Sequence, residues 1–77
     1  MGKELDQNQL RKFGERFKVI RTEKNLSFRR LSQLCDIDYS DLSKIEKGQI
    51  NITLLTLIDL AKGLGVHPRE LLDVEFE

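Results

Sequence analysis

The sequence predicts an all-α fold, a single small domain of five helices spanning 1–77. Three observations predict it. Apolar residues recur at intervals of three and four along the chain, the spacing that lines one face of a helix. Period-two alternation is absent and β-branched residues are sparse, so no strand competes. Helix caps and breakers (Asn25, Ser27, Asp38, Gly48, Thr53, Gly65, Pro68) cut the chain into short helical lengths. There are no repeats, linkers or low-complexity segments.

Leu10, Phe13, Phe17 and Ile20 mark one face of a first helix from about Asn8 to Glu23. Gly14 inside it costs about 1 kcal/mol relative to Ala, which suggests a close helix contact at that point. Asn25 ends the helix and Leu26 points inward. Ser27 is a good N-cap for the second helix, because its hydroxyl can take an orphan backbone N–H. Leu31, Leu34 and Cys35 are expected to face the core. Asp36 occupies the turn, where a residue tolerant of the left-handed region is wanted. Ile37 anchors the turn, and Asp38 is expected to cap the third helix, with Asp41 completing an approximate capping box. Leu42 and Ile45 point inward and Gly48 terminates the helix. After the loop Gln49 to Ile52, Thr53 caps a fourth helix whose buried stripe is Leu54, Leu57, Leu60, Ala61 and Leu64. Gly65 ends it, Val66 packs, and Pro68 opens a last short helix, where its missing N–H costs nothing. Leu71 and Leu72 close the core.

Seventy-seven residues bury only a modest core, so compact helical packing or dimerisation must help. No run approaches the roughly 20 apolar residues of a bilayer span, and the polar N-terminus (Lys3, Glu4, Asp6) is not a secretory signal. A cytoplasmic protein is expected, with no membrane association. Cys35, alone in the chain, excludes an internal disulfide and reads as a small core residue. With His67, expected as a helix cap, it does not make a zinc site, which wants four ligands. No Gly-rich phosphate loop or nucleophile–base pair is present, so no enzyme, cofactor or metal is expected, and no small-molecule effector is evident. The net charge is zero but polarised. Positions 11–30 carry eight basic residues against Glu15 and Glu23, a net +6, whereas positions from 59 onward carry a net −3. Such a molecule can turn a basic side to phosphates.

Residues 26–47 carry the functional signal. Two short helices joined by a tight turn, the second with one polar face, have the layout of a helix-turn-helix that reads the DNA major groove, with its core at about 27–47. Leu26-Ser27-x-x-x-Leu31, Leu42-Ser43-x-Ile45-Glu46-x-Gly48, Asn51 and Leu57-x-x-Leu60-Ala61-x-x-Leu64-Gly65-Val66 together resemble the lambda-repressor/Cro-type, or XRE, family. The match covers about positions 13–72, with several motifs in register. The size and the Phe13-Gly14 opening also resemble the controller proteins of restriction–modification systems.

The resemblance implies five helices, the third being the recognition helix, and a two-fold dimer on a pseudo-palindromic operator of double-stranded DNA. Tyr39, Ser40, Ser43 and Lys44 are then the candidates for base contact: Lys44 can donate to guanine O6 or N7, the serines are permissive, and the Tyr39 ring could meet a thymine methyl. Ser27, Arg29, Lys47, Gln49 and Asn51 bracket the helix as candidates for phosphate contact. Arg21 and Glu46 match a family pair that joins the first and third helices as a structural ion pair. Two departures stand out. Phe28 falls where phage repressors often place a phosphate-contacting Gln, and Asp36 replaces the turn glycine. Phe28 either stacks with Tyr39 to hold the recognition helix or joins the edge of the core. Val74 and Phe76, with Leu71 or Leu72, are candidates for the dimer interface. The expected function is a sequence-specific dimeric transcription regulator. The alternative is an antitoxin-like or other protein-binding module that uses its helix-turn-helix for autoregulation.

Overall fold

Helix α1 runs from Lys3 to Glu23, starting more than a turn before the predicted Asn8. Nothing between Lys3 and Asn8 breaks a helix, and Glu4 and Asp6 complement the positive end of the helix dipole. The computed structural model describes residues 3–77, and every regular element in it is helical. Helices α2 (Phe28–Leu34), α3 (Tyr39–Glu46), α4 (Leu54–Leu64) and α5 (Pro68–Leu71) follow in order.

The largest fully buried side chains are Phe17, Leu31, Leu42, Leu60 and Leu71, one from each helix. Burying each contributes on the order of 1.5–3 kcal/mol. Their convergence makes one core, joined by Phe13, Ile20, Ile45, Leu57, Ala61 and Leu64. Gly14 explains how α1 and α3 come together: a methyl group there would collide with the backbone carbonyl of Glu46. The expected close contact is present, and it is a contact with the end of α3.

The caps divide into those that form and one that does not. Ser27 Oγ accepts from Arg30 N–H at 3.0 Å, Thr53 Oγ1 from Thr56 N–H at 3.2 Å, and His67 Nδ1 from Arg69 N–H at 3.1 Å. Asp38 has the extended backbone of an N-cap but its side chain makes no capping bond, so the expected capping box is absent. Asn25, at φ 56°, takes the left-handed conformation that ends α1, as an Asn tolerates. Asp36 does not take it, contrary to expectation. Its backbone N–H is instead held by Asp59 Oδ2 of α4 at 2.8 Å, so a tertiary bond shapes this turn.

Three apolar expectations are corrected. Leu34 is exposed, because a two-turn helix can aim only one row inward, and Leu31 with Cys35 four residues on takes it. Leu54 is 70% exposed, because the first turn of α4 projects past the core and the buried stripe begins at Leu57. Leu72 is exposed, since it lies beyond the last turn of α5 as its C-cap.

Candidate nucleic-acid interface

Helix α3 buries Leu42 and Ile45 and turns Tyr39, Ser40, Lys44 and Lys47 outward, with Ser43 half-buried at the edge of that face. The split follows from helical periodicity, because 40 and 47 lie opposite the 42/45 row and 43 and 44 flank them. Among the described residues, Lys44, Lys47 and Arg29 form no ion pair. Their charges are therefore available to an external anion. Gly48, at φ 74°, ends the helix in the left-handed region that favours glycine, with its Cα side against the Arg11 backbone. Gln49 N–H then bonds the Lys44 carbonyl at 2.9 Å, which fixes Gln49 directly after the recognition helix.

The start of α2 offers a second polar edge. Ser27 Oγ accepts from Arg30 N–H, so its own hydroxyl proton remains free to be donated. Arg29 is exposed beside it, and Arg30 is held by Gln33 Oε1 at 3.0 Å. Tyr39, which opens α3, and Asn51, in the loop after it, line one open groove of about 730 Å³. Asp36, Asp38 and Asp41 line the same groove, so its electrostatics disfavour phosphate there. The cationic positions Lys44 and Lys47 do not line it.

The brace behind this surface is the pair Arg21–Glu46. Arg21 Nε donates to Glu46 Oε2 at 2.8 Å and a terminal nitrogen donates to Oε1 at 3.0 Å, a bidentate fork. The other terminal nitrogen donates to the Leu26 carbonyl at 2.7 Å. The side chains are 14% and 10% exposed. Phe28 lies beneath the guanidinium, whose carbon is 4.2 Å from the ring centroid, a cation–π contact. Of the two readings of Phe28, the core edge is the one formed, with the ring packed against the hydrophobic cluster. One guanidinium thus ties together α1, the α1–α2 loop, the start of α2 and the last residue of α3.

Two further tethers were not read from the sequence. Asp59 holds the α2–α3 turn, as above, and Gln7 Nε2 of α1 donates to the Gly48 carbonyl at 3.1 Å. Both join residues far apart in the chain, and hydrophobic periodicity carries no trace of such contacts. The basic stretch 11–30 is also less free than its charge suggests. Arg21 is engaged by Glu46, and Arg16 donates to the Glu70 carbonyl at 2.8 Å and faces Asp73 at 3.9 Å.

Cys35 sits at the core edge and donates to the Leu31 carbonyl at 3.3 Å. Burial pushes its thiol pKa up, Asp59 and Asp36 add to this, and a backbone hydrogen bond from Ile37 opposes it. That keeps the thiol protonated near neutrality and unsuited to redox sensing. Leu71 is fully buried in the core of the single chain, so it presents no surface to a partner, and the candidate interface residues that remain are Leu72, Val74 and Phe76. No helix among the described residues is long and apolar enough to cross a membrane.

Residues 14–77 match the family model of a helix-turn-helix domain. Control protein C.BamHI of Bacillus amyloliquefaciens is 39% identical over 62 residues, which cover 79% of this chain and 76% of that protein. Control protein C.MunI of a Mycoplasma species is 37% identical over 68 residues, covering 86% and 92%. The crystal structure of the restriction-modification controller protein C.AhdI from Aeromonas hydrophila superimposes with a TM-score of 0.81 at 41% identity, covering 83% of this chain and 97% of that one. The motifs, the five-helix fold and these similarities agree: the chain belongs to the XRE-type helix-turn-helix family of DNA-binding transcription regulators.

Proposed function

We propose that this chain is a regulator of the restriction–modification controller kind, binding a pseudo-palindromic operator as a homodimer with α3 in the major groove. The observation that carries the reading is the outward face of α3. Ser40, Lys44 and Lys47 are exposed there, on a helix held from behind by the Arg21–Glu46 fork. Tyr39, Ser40, Ser43 and Lys44 are assigned to base edges. Ser27, Arg29, Lys47 and Gln49 are assigned to phosphates on either side, whereas Asn51, on the acidic groove, is given no phosphate.

One recognition helix reads only a few base pairs, so useful selectivity asks for two, about 34 Å apart on one DNA face. The surface suited to pairing the copies is apolar. Leu72 and Phe76 are exposed and line one pocket with Leu54. Val74 is half-buried between them in sequence. Selection of bound sites from random duplex DNA tests the reading. The expected result is an enriched motif of two inverted half-sites with centres one helical turn apart. Recovery of no motif, or of one isolated half-site, would contradict it.

A further inference from the structure

Residue Glu77 is gripped at two points by Gln9 of α1. Gln9 Oε1 accepts from the Glu77 backbone N–H at 2.8 Å, and Gln9 Nε2 donates to a main-chain oxygen of Glu77 at 2.6 Å. Asn8 Nδ2 adds a 3.4 Å contact to the Glu77 carboxylate. These bonds lay the segment after α5 back across α1. Phe76 thereby becomes one wall of an apolar pocket of about 220 Å³, with Leu10, Phe13, Leu54 and Leu72 among its other walls.

We propose that Gln9 is a positioning residue for self-association. Its grip on Glu77 completes the face that a second copy of this chain covers, and so sets the protein concentration at which the dimer forms. The proposal rests on the dimer reading above. A second copy is the occupant that the surface suits. An isologous contact sets each patch against itself, and among the described residues no charged side chain lines this pocket to repel its own image. Leu54, Leu72 and Phe76 among its walls are 70%, 47% and 41% exposed, apolar surface that a second copy would remove from water.

The grip matters because little else orders the segment. Val74 N–H bonds the Leu72 carbonyl at 2.9 Å, while no bond from residues 75 or 76 is formed among the described residues. Without Gln9 the backbone of 75–77 would have to be ordered during association, and that entropy would oppose the dimer. The dimer contains two grips, so the effect counts twice.

Sedimentation equilibrium of the full chain tests this. Gln9→Ala should raise the dimer dissociation constant by about tenfold or more, roughly one net hydrogen bond per protomer. Thermal unfolding followed at low concentration should hardly move, because Gln9 lies off the core and Ala is the better helix former. Gln9→Glu keeps an acceptor for the Glu77 N–H but loses the donor and sets a carboxylate beside that of Glu77, so it too should weaken the dimer. Phe76→Ala should cost less in the Gln9→Ala background than in the parent, since both act through one wall. Dissociation constants within twofold of the parent for both Gln9 variants would overturn the proposal while leaving the dimer reading intact. A parent chain that stays monomeric with and without operator duplex would overturn both.

Discussion

Glu46→Gln removes one charge from the brace behind the recognition helix while leaving its shape almost unchanged. In the parent, Arg21 makes two bonds to this carboxylate at 2.8 and 3.0 Å, with the pair 14% and 10% exposed. Removing one partner of a fully buried pair costs about 3–5 kcal/mol, because the other charge is stranded. Here the loss is smaller. The guanidinium keeps the Leu26 carbonyl at 2.7 Å and the face of Phe28, and the Gln can still accept one bond. A cost of about 2–3 kcal/mol follows by scaling down that range. For a domain of this size that is a fall of roughly 10–20 °C in the unfolding midpoint. Urea titration followed by helical circular dichroism measures it, with the parent m-value retained if only stability changes. Operator affinity should fall as well, at protein concentrations and temperatures where the variant is still folded, because α3 is held less firmly to α1. Arg21→Leu with Glu46→Leu should be much closer to the parent in stability than Glu46→Gln, since an apolar pair strands no charge. A Glu46→Gln variant within about 0.5 kcal/mol of the parent, the scale of a neutral surface change, would refute the reasoning.

Other consequences are smaller in scope. Gly14→Ala should destabilise by about 2 kcal/mol or more, measured by the same titration, even though Ala gains about 1 kcal/mol in intrinsic helix propensity; the methyl meets the Glu46 carbonyl. Lys44→Ala should weaken operator binding by about 1–3 kcal/mol and relax the preference at one base pair, read by fluorescence anisotropy on a panel of single-site operator variants. The Cys35 thiol should react with a disulfide reagent more slowly in the folded chain than in the urea-unfolded one. Its raised folded pKa also sets the sign of a pH effect: the contribution to stability is whole below the ordinary thiol value of about 8.5 and is lost as pH rises through the folded value.

What could be read from the sequence was what is local. Ser27, Thr53 and His67 cap as expected because each bond spans only two or three residues. Phe17, Leu31, Leu42 and Leu60 were found by spacing alone, since one periodic face fixes which side is inward. Periodicity failed at element ends. Leu34, Leu54 and Leu72 belong to the right hydrophobic pattern, but they sit where a short helix outruns the core it covers. Asp36 failed for a different reason: a side chain from α4, distant in sequence, holds its N–H, and no local rule anticipates that bond. The polar face of α3 was legible because it is the complement of the 42/45 row. The Arg21–Glu46 pair came from family resemblance, and Phe28's place beneath it needed the folded structure. Gln7, Gln9 and Asp59 gave no signal, because exposed polar residues on a helix look alike until a partner is seen.

Methylation interference on a duplex recovered by site selection probes most directly whether the face bearing Ser40 and Lys44 enters the major groove. Methyl groups placed on guanine N7 project into that groove. The expected result is depletion of bound duplexes methylated at guanines in two clusters one helical turn apart, with Lys44→Ala losing sensitivity at one position per half-site. Tolerance of N7 methylation at every guanine across a bound site would mean that α3 does not lie in the major groove.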